Sequence, residues 1–256
     1  MGLPMVARLV EAGHAVRAHA RNPQTRRDVQ ELGAGAANNV AEAGVGADVV
    51  VVCVFSDEQV REVCLDSALL TAIPAGSALV VHTTVNPATM EAIAARARGV
   101  DVVDAPISGG PADVAARRLT LFVGGSAGAV TRVRPLLECY GDPVLHVGPL
   151  GAGQKVKLIN NALFASHIGL LAEAVRLAER LGVPESALLA ALPHGSADSR
   201  VLNLAAVQGS LSAFALLVGD FVSKDVAAVR DVARELGAGL GVLDDVINAI
   251  HASDPL

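Results

Sequence analysis

The chain has 256 residues, enough for one large or two ordinary domains, and 52% of them are hydrophobic, so a sizeable core can form. A formal net charge of -6, with 2% aromatic residues and no basic stripe, argues against a nucleic-acid partner. No apolar run approaches the ~20 residues of a membrane span, and no charged segment with a long apolar stretch behind it opens the chain, so no membrane partner and no signal peptide are read and the cytoplasm is the expected compartment. Cys53, Cys64 and Cys139 show no ligand spacing, and the histidines form no H-x-x-x-H pair, so no metal site is expected.

Taken in order, the first segments alternate. Val6 to Gly13 reads as a helix with a glycine stop, Ala15 to His19 as a strand, and Thr25 to Leu32 as a helix ending at Gly33. Asp48 to Phe55 reads as a buried strand, because its valine run suits a parallel sheet covered on both faces. A helix over Asp57 to Leu65, a strand over Ala78 to His82 and a helix over Pro87 to Arg98 follow, the last with Asn86 as cap and Pro87 at its first position. Val100 to Asp104, Leu119 to Gly124 and Pro143 to Val147 read as strands, with a helix between the last two. The alternation implies a doubly wound parallel sheet. After Gly148-Pro149 every segment reads as helical: Gly153 to Leu181, Pro184 to Leu192, Ser199 to Gln208, Phe221 to Leu236 and Gly241 to Ala252. The fold class is therefore α/β, a Rossmann-type sheet in residues 1–149 followed by an all-helical domain in 150–256.

Several short motifs carry chemistry. Gly151-Ala-Gly153-Gln154-Lys155-Val-Lys157-Leu-Ile-Asn160-Asn161 opens the long helix, and Lys157 and Asn161, four apart, share one face of it. An ammonium and an amide there can grip an oxygen and move a proton; a solvated helix start with a surface lysine is the bland alternative. Asp104-Ala-Pro-Ile-Ser108-Gly109-Gly110 follows a strand; its glycines admit a ligand close to the backbone and Ser108 can bond a carboxylate, or the segment is only a turn. His82-Thr83-Thr84 lies at the carboxyl end of a strand, where open α/β sheets bind ligands. Met1-Gly2-Leu3-Pro4 is similar to the tail of a dinucleotide fingerprint, whose helix start binds pyrophosphate. About 20 residues on stands Arg21, with Arg26 and Arg27 behind it. A guanidinium suits a 2′-phosphate and so NADP, whereas the same residues also make a basic surface loop. Lys224-Asp225 on a late helix reads as a charge pair or a site element, and Arg200 as a carboxylate partner or a surface arginine.

In their order and spacing these segments resemble the β-hydroxyacid dehydrogenase family, in its 3-hydroxyisobutyrate dehydrogenase branch, and the likeness runs through nearly the whole chain. The resemblance implies a Rossmann domain, related to that of 6-phosphogluconate dehydrogenase, then a helical domain, with the site in the cleft between them. It implies Lys157 as catalytic acid/base, with Ser108, Gly109, Gly110 and Asn161 on the substrate. It implies that Gly2, Leu3, Pro4, Arg21, Val54, Phe55, Gln59, Thr84 and Lys224 line the cofactor, NADP by the Arg21 argument or else NAD. It implies a small 3-hydroxy acid or its semialdehyde as substrate and a homo-oligomer, dimer or tetramer. The chain departs from the family pattern in four places. It starts inside the fingerprint, so the first strand is expected roughly ten residues upstream, from a rise of ~3.3 Å per residue; otherwise cofactor binding is weak. It stops before a last family helix, and it carries Asp113 and Arg117 where the family favours small residues, often glycine. Imine reductases share the fold but commonly lack the lysine, so Lys157 argues against them; a catalytically silent subunit is the other alternative.

Overall fold

Helix and strand alternate through Met1–Lys157, the first of two compact units, in the computed structural model, which describes residues 1–249. The order is α1 (Gly2–Glu11), β1 (Arg17–His19), α2 (Pro23–Glu31), β2 (Gly35–Ala37), α3 (Val40–Gly44), β3 (Val49–Val52), α4 (Asp57–Cys64), α5 (Leu69–Ala72), β4 (Ala78–Val81) and α6 (Pro87–Arg96). It continues with β5 (Asp101–Asp104), β6 (Ile107–Ser108), α7 (Pro111–Ala115), β7 (Leu119–Gly124), α8 (Ala127–Leu137) and β8 (Gly141–Gly148). The turns into helices end on residues whose side-chain oxygen accepts an orphan N–H of the first turn. Asn22, Asn39, Ser56, Asn86 and Ser126 do this for α2, α3, α4, α6 and α8.

Strands β3, β4 and β5 run parallel, with Val50 beside Leu79 and Leu79 beside Val102. Beyond β5 the direction reverses: β5 and β6 both pair antiparallel with β7, and β7 pairs parallel with β8. The sheet is thus mixed and not parallel throughout. β6 continues β5 along the same side of β7, and the ten residues 109–118 that join β6 to β7 are fewer than the dozen or more that a parallel crossover needs. Strands β1 and β2 form a separate parallel pair. β4 is buried along its whole length and alternates between two cores. Ala78 and Val80 join Met5, Leu9, Val114, Val130 and Val133 on one face. Leu79 and Val81 join Val60, Cys64, Met90 and Ile93 on the other. Each fully buried side chain of this kind is worth about 1.5–3 kcal/mol.

The second unit begins at Leu158 and is helical. It holds most of α9 (Ala152–Arg180), then α10 (Glu185–Ala191), a 3-10 turn (Leu192–His194), α11 (Arg200–Gln208), α12 (Leu211–Glu235) and α13 (Val242–Asn248). Its core gathers Ile168, Leu171, Leu189, Val201, Leu202 and Phe214, with Phe164 edge-on to Phe214 at 6.4 Å. A side chain at Gly169 would strike the Val246 carbonyl, so glycine is what lets α13 close on α9. Helix α12 starts ten residues earlier than its sequence pattern suggested, because Ser210 caps it and Gly219 lies inside it with open space around it. Residues 250–252 of the last expected helix lie outside the described residues. One helix, α9, does contain a window long and apolar enough to cross a membrane, against the sequence expectation; half of that window is buried inside the fold.

Candidate active site

Strand β3 delivers Val54 to its carboxyl end, where the Val54 N–H donates to Thr83 Oγ1 and the Thr83 hydroxyl donates to the Val54 carbonyl, both at 2.9 Å. Phe55, 53% exposed, donates its N–H to Gln59 Oε1 at 2.9 Å in the first turn of α4. Asp57 ties the next turn in: its Oδ1 accepts the Asn86 N–H at 2.9 Å and its Oδ2 the Thr89 hydroxyl at 3.1 Å. Val54, Phe55, Gln59 and the half-buried Thr84 therefore sit together on the cross-linked turns after β3 and β4, at the strand ends where such sheets bind ligands.

Strand β5 ends on Asp104, which is fully buried. Its Oδ1 accepts the Gly151 N–H and its Oδ2 the Gln154 N–H, both at 2.7 Å. These are free donors at the positive end of α9, where a carboxylate is favoured. Burial pushes the Asp104 carboxyl above its ordinary value, while the N–H groups of Gly151, Gln154, Gly153 and Asp104 itself pull it down. Glycine is required around this cap: a Cβ at Gly153 would strike the Phe122 carbonyl, and one at Gly124 the Asp104 carboxylate. Gln154 is fully buried; its Nε2 donates to the Thr83 carbonyl at 2.9 Å and its Oε1 accepts the Val85 N–H at 3.0 Å. Lys157 follows on α9, half-buried. Sequence reasoning passed over Asp104 and Gln154 as functional groups because their partners lie 47 to 71 residues away. Only their place at a strand end and a helix start could have flagged them.

Ser108 closes β6 opposite Thr120, Gly109 takes φ +132 and Gly110 caps α7. Asp113 does not disturb this loop: its Oδ2 accepts the Gly110 N–H at 2.8 Å. Arg117 adopts φ +57, the left-handed conformation a glycine would take freely. At the N-terminus, α1 begins without a side-chain cap and without an acidic residue in its first turn. Apart from its chain neighbours and the backbone of its own helix, no atom among the described residues lies within 4 Å of where a Gly2 Cβ would be. Gly2 and Leu3 thus offer open N–H groups at a positive helix end, which suits a pyrophosphate, while Pro4 has no N–H to give. Arg26 is bonded to Asn38 at 2.9 Å and Arg27 to Gln24 at 2.7 Å. Exposed Arg21 makes no hydrogen bond or ion pair among the described residues.

In the second unit Asn161 is buried on α9. Its Oδ1 accepts from Asn160 Nδ2 at 3.2 Å, and its own Nδ2 is buried without a hydrogen-bond partner among the described residues. Lys224 on α12 has Nζ 3.7 Å from Asp225 Oδ1. Arg200 is exposed at the first position of α11.

A second buried polar group lies behind the site in the first unit. His82 Nδ1 is 2.6 Å from the Ala105 carbonyl, which can only accept, so this nitrogen carries the proton. His82 Nε2, 2.8 Å away from the Tyr140 hydroxyl, therefore accepts. Burial lowers the imidazole to about 4, against a weaker upward pull from the Ala105 bond, and pushes the Tyr140 phenol up.

A mixed sheet with a core on each face and helix starts at its strand ends is the architecture of dinucleotide-binding domains. Residues 1–148 match the family model described as the NAD binding domain of 6-phosphogluconate dehydrogenase. Residues 151–253 match that of the NAD-binding domain of NADP-dependent 3-hydroxyisobutyrate dehydrogenase. The chain is 35% identical over 207 residues to an NAD-dependent L-serine dehydrogenase of Pseudomonas aeruginosa, covering 80% of this chain and 70% of that protein. With a 3-hydroxyisobutyrate dehydrogenase of the same organism it shares 34% over the same extents. The solved structure of a Mycobacterium tuberculosis 3-hydroxyisobutyrate dehydrogenase with L-serine superposes with a TM-score of 0.85 at 29% identity, over 99% of this chain and 91% of that one. An imine reductase from Pseudomonas sp. has a TM-score of 0.65 at 19% identity, over 98% and 96%, a likeness of fold alone. The chain belongs to the 3-hydroxyisobutyrate dehydrogenase-like β-hydroxyacid dehydrogenase family, and it is an NAD(P)-dependent hydroxyacid dehydrogenase.

Proposed function

We propose that this chain oxidises a small 3-hydroxy acid to its semialdehyde, or reduces the semialdehyde, with Lys157 as general acid/base. When bound, the nicotinamide accepts or supplies the hydride at the carbon bearing the oxygen. Lys157 Nζ takes the hydroxyl proton in oxidation and returns it to the carbonyl oxygen in reduction. Ser108 and the close-approach loop at Gly109 and Gly110 hold the carboxylate, and Asn161 holds the reacting oxygen. The observation that carries this reading is the buried, unpartnered Asn161 Nδ2, four residues along α9 from Lys157: a native buried donor needs an acceptor, and a substrate oxygen supplies one. Gly2 and Leu3 receive the pyrophosphate, with Pro4 lining the same turn; Val54, Phe55, Gln59, Thr84 and Lys224 line the rest of the cofactor. Uncommitted Arg21 favours the 2′-phosphate of NADP. Residues 1–149 serve the cofactor and 150–256 complete the substrate contacts and carry self-association. The free cysteines suit the reducing cytoplasm.

Lys157→Ala tests the reading, with 3-hydroxyisobutyrate and L-serine as substrates and NAD+ and NADP+ as cofactors. Turnover falls by a factor on the order of 10²–10⁴, the contribution of a positioned acid/base. Cofactor affinity, measured by nicotinamide fluorescence, changes little. Turnover within about threefold of the parent refutes the role.

A further inference from the structure

We infer that Gln154 is a positioning residue that locks the helix carrying Lys157 to the turn carrying Thr84, and so sets the proton-transfer group against the cofactor. The inference rests on the proposed roles of Lys157 and Thr84. Lys157 lies three positions after Gln154, so they stand about 4.5 Å apart along the axis of α9 and within one turn of each other. The Gln154 side chain reaches both neighbours of Thr84: it donates to the Thr83 carbonyl and accepts from the Val85 N–H. Thr84 is thereby clamped from either side by one amide. The clamp extends further, because the Thr83 hydroxyl bridges the N–H and carbonyl of Val54 after the neighbouring strand. Gln154 is itself held at its backbone by Asp104.

An amide fits this task for a chemical reason. Its fork carries one donor and one acceptor side by side, and the turn presents one carbonyl and one N–H. An ionised glutamate has no donor for Thr83, and methionine has the volume but neither function. Hydride transfer is sensitive to placement: a shift of about 1 Å in a reacting group costs on the order of 10²-fold in rate. A buried glutamine that only contributed stability would leave the chemistry of the folded enzyme untouched.

The test compares the full-length parent with Gln154→Met, Gln154→Glu and Lys157→Ala. Four quantities are measured: kcat and KM for 3-hydroxyisobutyrate, the primary deuterium isotope effect with substrate labelled at its hydroxymethyl carbon, melting temperature, and amide exchange over residues 83–87 without substrate. In Gln154→Met, kcat falls at least about tenfold, KM stays within about threefold and the isotope effect on kcat rises as hydride transfer becomes limiting. The Val85 amide exchanges faster even in the free enzyme. Gln154→Glu keeps the acceptor for Val85, so that amide stays protected while kcat still falls. Unchanged kcat and isotope effect in either folded variant, with only the melting temperature lowered, overturns the inference, as does unchanged Val85 exchange in Gln154→Met. Loss of turnover in Lys157→Ala beside normal Gln154 variants rejects the inference alone; normal turnover in Lys157→Ala rejects the acid/base reading and the inference with it.

Discussion

Arg117 illustrates how one residue stores strain in a well-made turn. It follows α7 and its N–H donates to the Val114 carbonyl at 3.0 Å, while the Arg118 N–H donates to the Asp113 carbonyl at 2.8 Å. This is the bonding of a Schellman helix end, whose left-handed position favours glycine. An L-residue there costs roughly 1–2 kcal/mol, and the exposed Arg117 side chain returns little by packing. Arg117→Gly should raise unfolding free energy by about 1 kcal/mol after the larger unfolded-state entropy of glycine is counted. In a chain of this size that is a melting-temperature increase of about 2–4 °C, readable by differential scanning fluorimetry; a lower melting temperature would show that the guanidinium does more than occupy space. His82 behaves differently. Its folded value of about 4 lies below the ordinary 6.5, so between these limits the unfolded chain binds a proton that the folded chain refuses. Its contribution is fully present above pH about 6.5 and is lost as pH falls toward about 4, amounting to about 3 kcal/mol over the window. Asp104, raised in the fold, works in the opposite sense at the acid end. The difference between parent and His82→Gln therefore isolates the imidazole: urea unfolding should show the parent losing stability more steeply from pH 6.5 to 4.5. Parallel curves would exclude His82 as the source.

At the scale of elements, the junction of α9 with the sheet is the tightest joint in the first unit. Gly153 faces the Phe122 carbonyl and the Asp104 carboxylate too closely for any side chain. Gly153→Ala must push α9 outward or break the cap, at a cost of about 1–3 kcal/mol for overpacking. It should lower the melting temperature by several degrees and reduce turnover, because Lys157 rides on the same helix; an unchanged melting temperature would mean that the joint is looser than its packing. Elements whose signal is local were legible in the sequence. β7 was read over its full extent, α4 within one residue, and α9, with its Lys157–Asn161 spacing, within one residue at each end, each from its own periodicity and caps. β2, α3, α5, β6 and α7 were missed, since two to five residues are too short a window for a periodic pattern to repeat. The reversal after β5 was invisible too, because strand direction follows from a tertiary partner, Gly124 against Asp104, and not from the composition of β5. The same limit hid Gln154. A residue pattern can mark a helix face, but a side chain whose partners lie 69 and 71 residues away is recognised only once the turns are in place.

For the whole molecule, the apolar surface of the helical unit is the feature left to explain. Ile159, Leu163, Leu170 and Leu177 on α9, with Leu181 directly after its last residue, are between 43% and 70% exposed. Their steps of four, seven, seven and four residues keep them within about 40° of one another around the axis, at about 100° per residue. They form one continuous stripe about six turns long, the spacing by which helices pack on helices. On α12, Leu216, Leu217 and Phe221 are also exposed, Leu216 at 87%. Scattered exposed leucines are ordinary, but an aligned stripe is the kind of patch that marks an interface. A second copy of the chain, offering the same stripe, is the occupant that closed symmetry supplies most simply. The chain should therefore have at least dimeric mass in multi-angle light scattering at micromolar concentration. Leu170→Lys with Leu177→Lys places two charges in the middle of the stripe at positions that are already exposed, so the helical circular dichroism of the unit should survive while the mass falls to that of a monomer. A parent that is monomeric at micromolar concentration, or a double variant that keeps the parent's mass, would remove α9 as the interface.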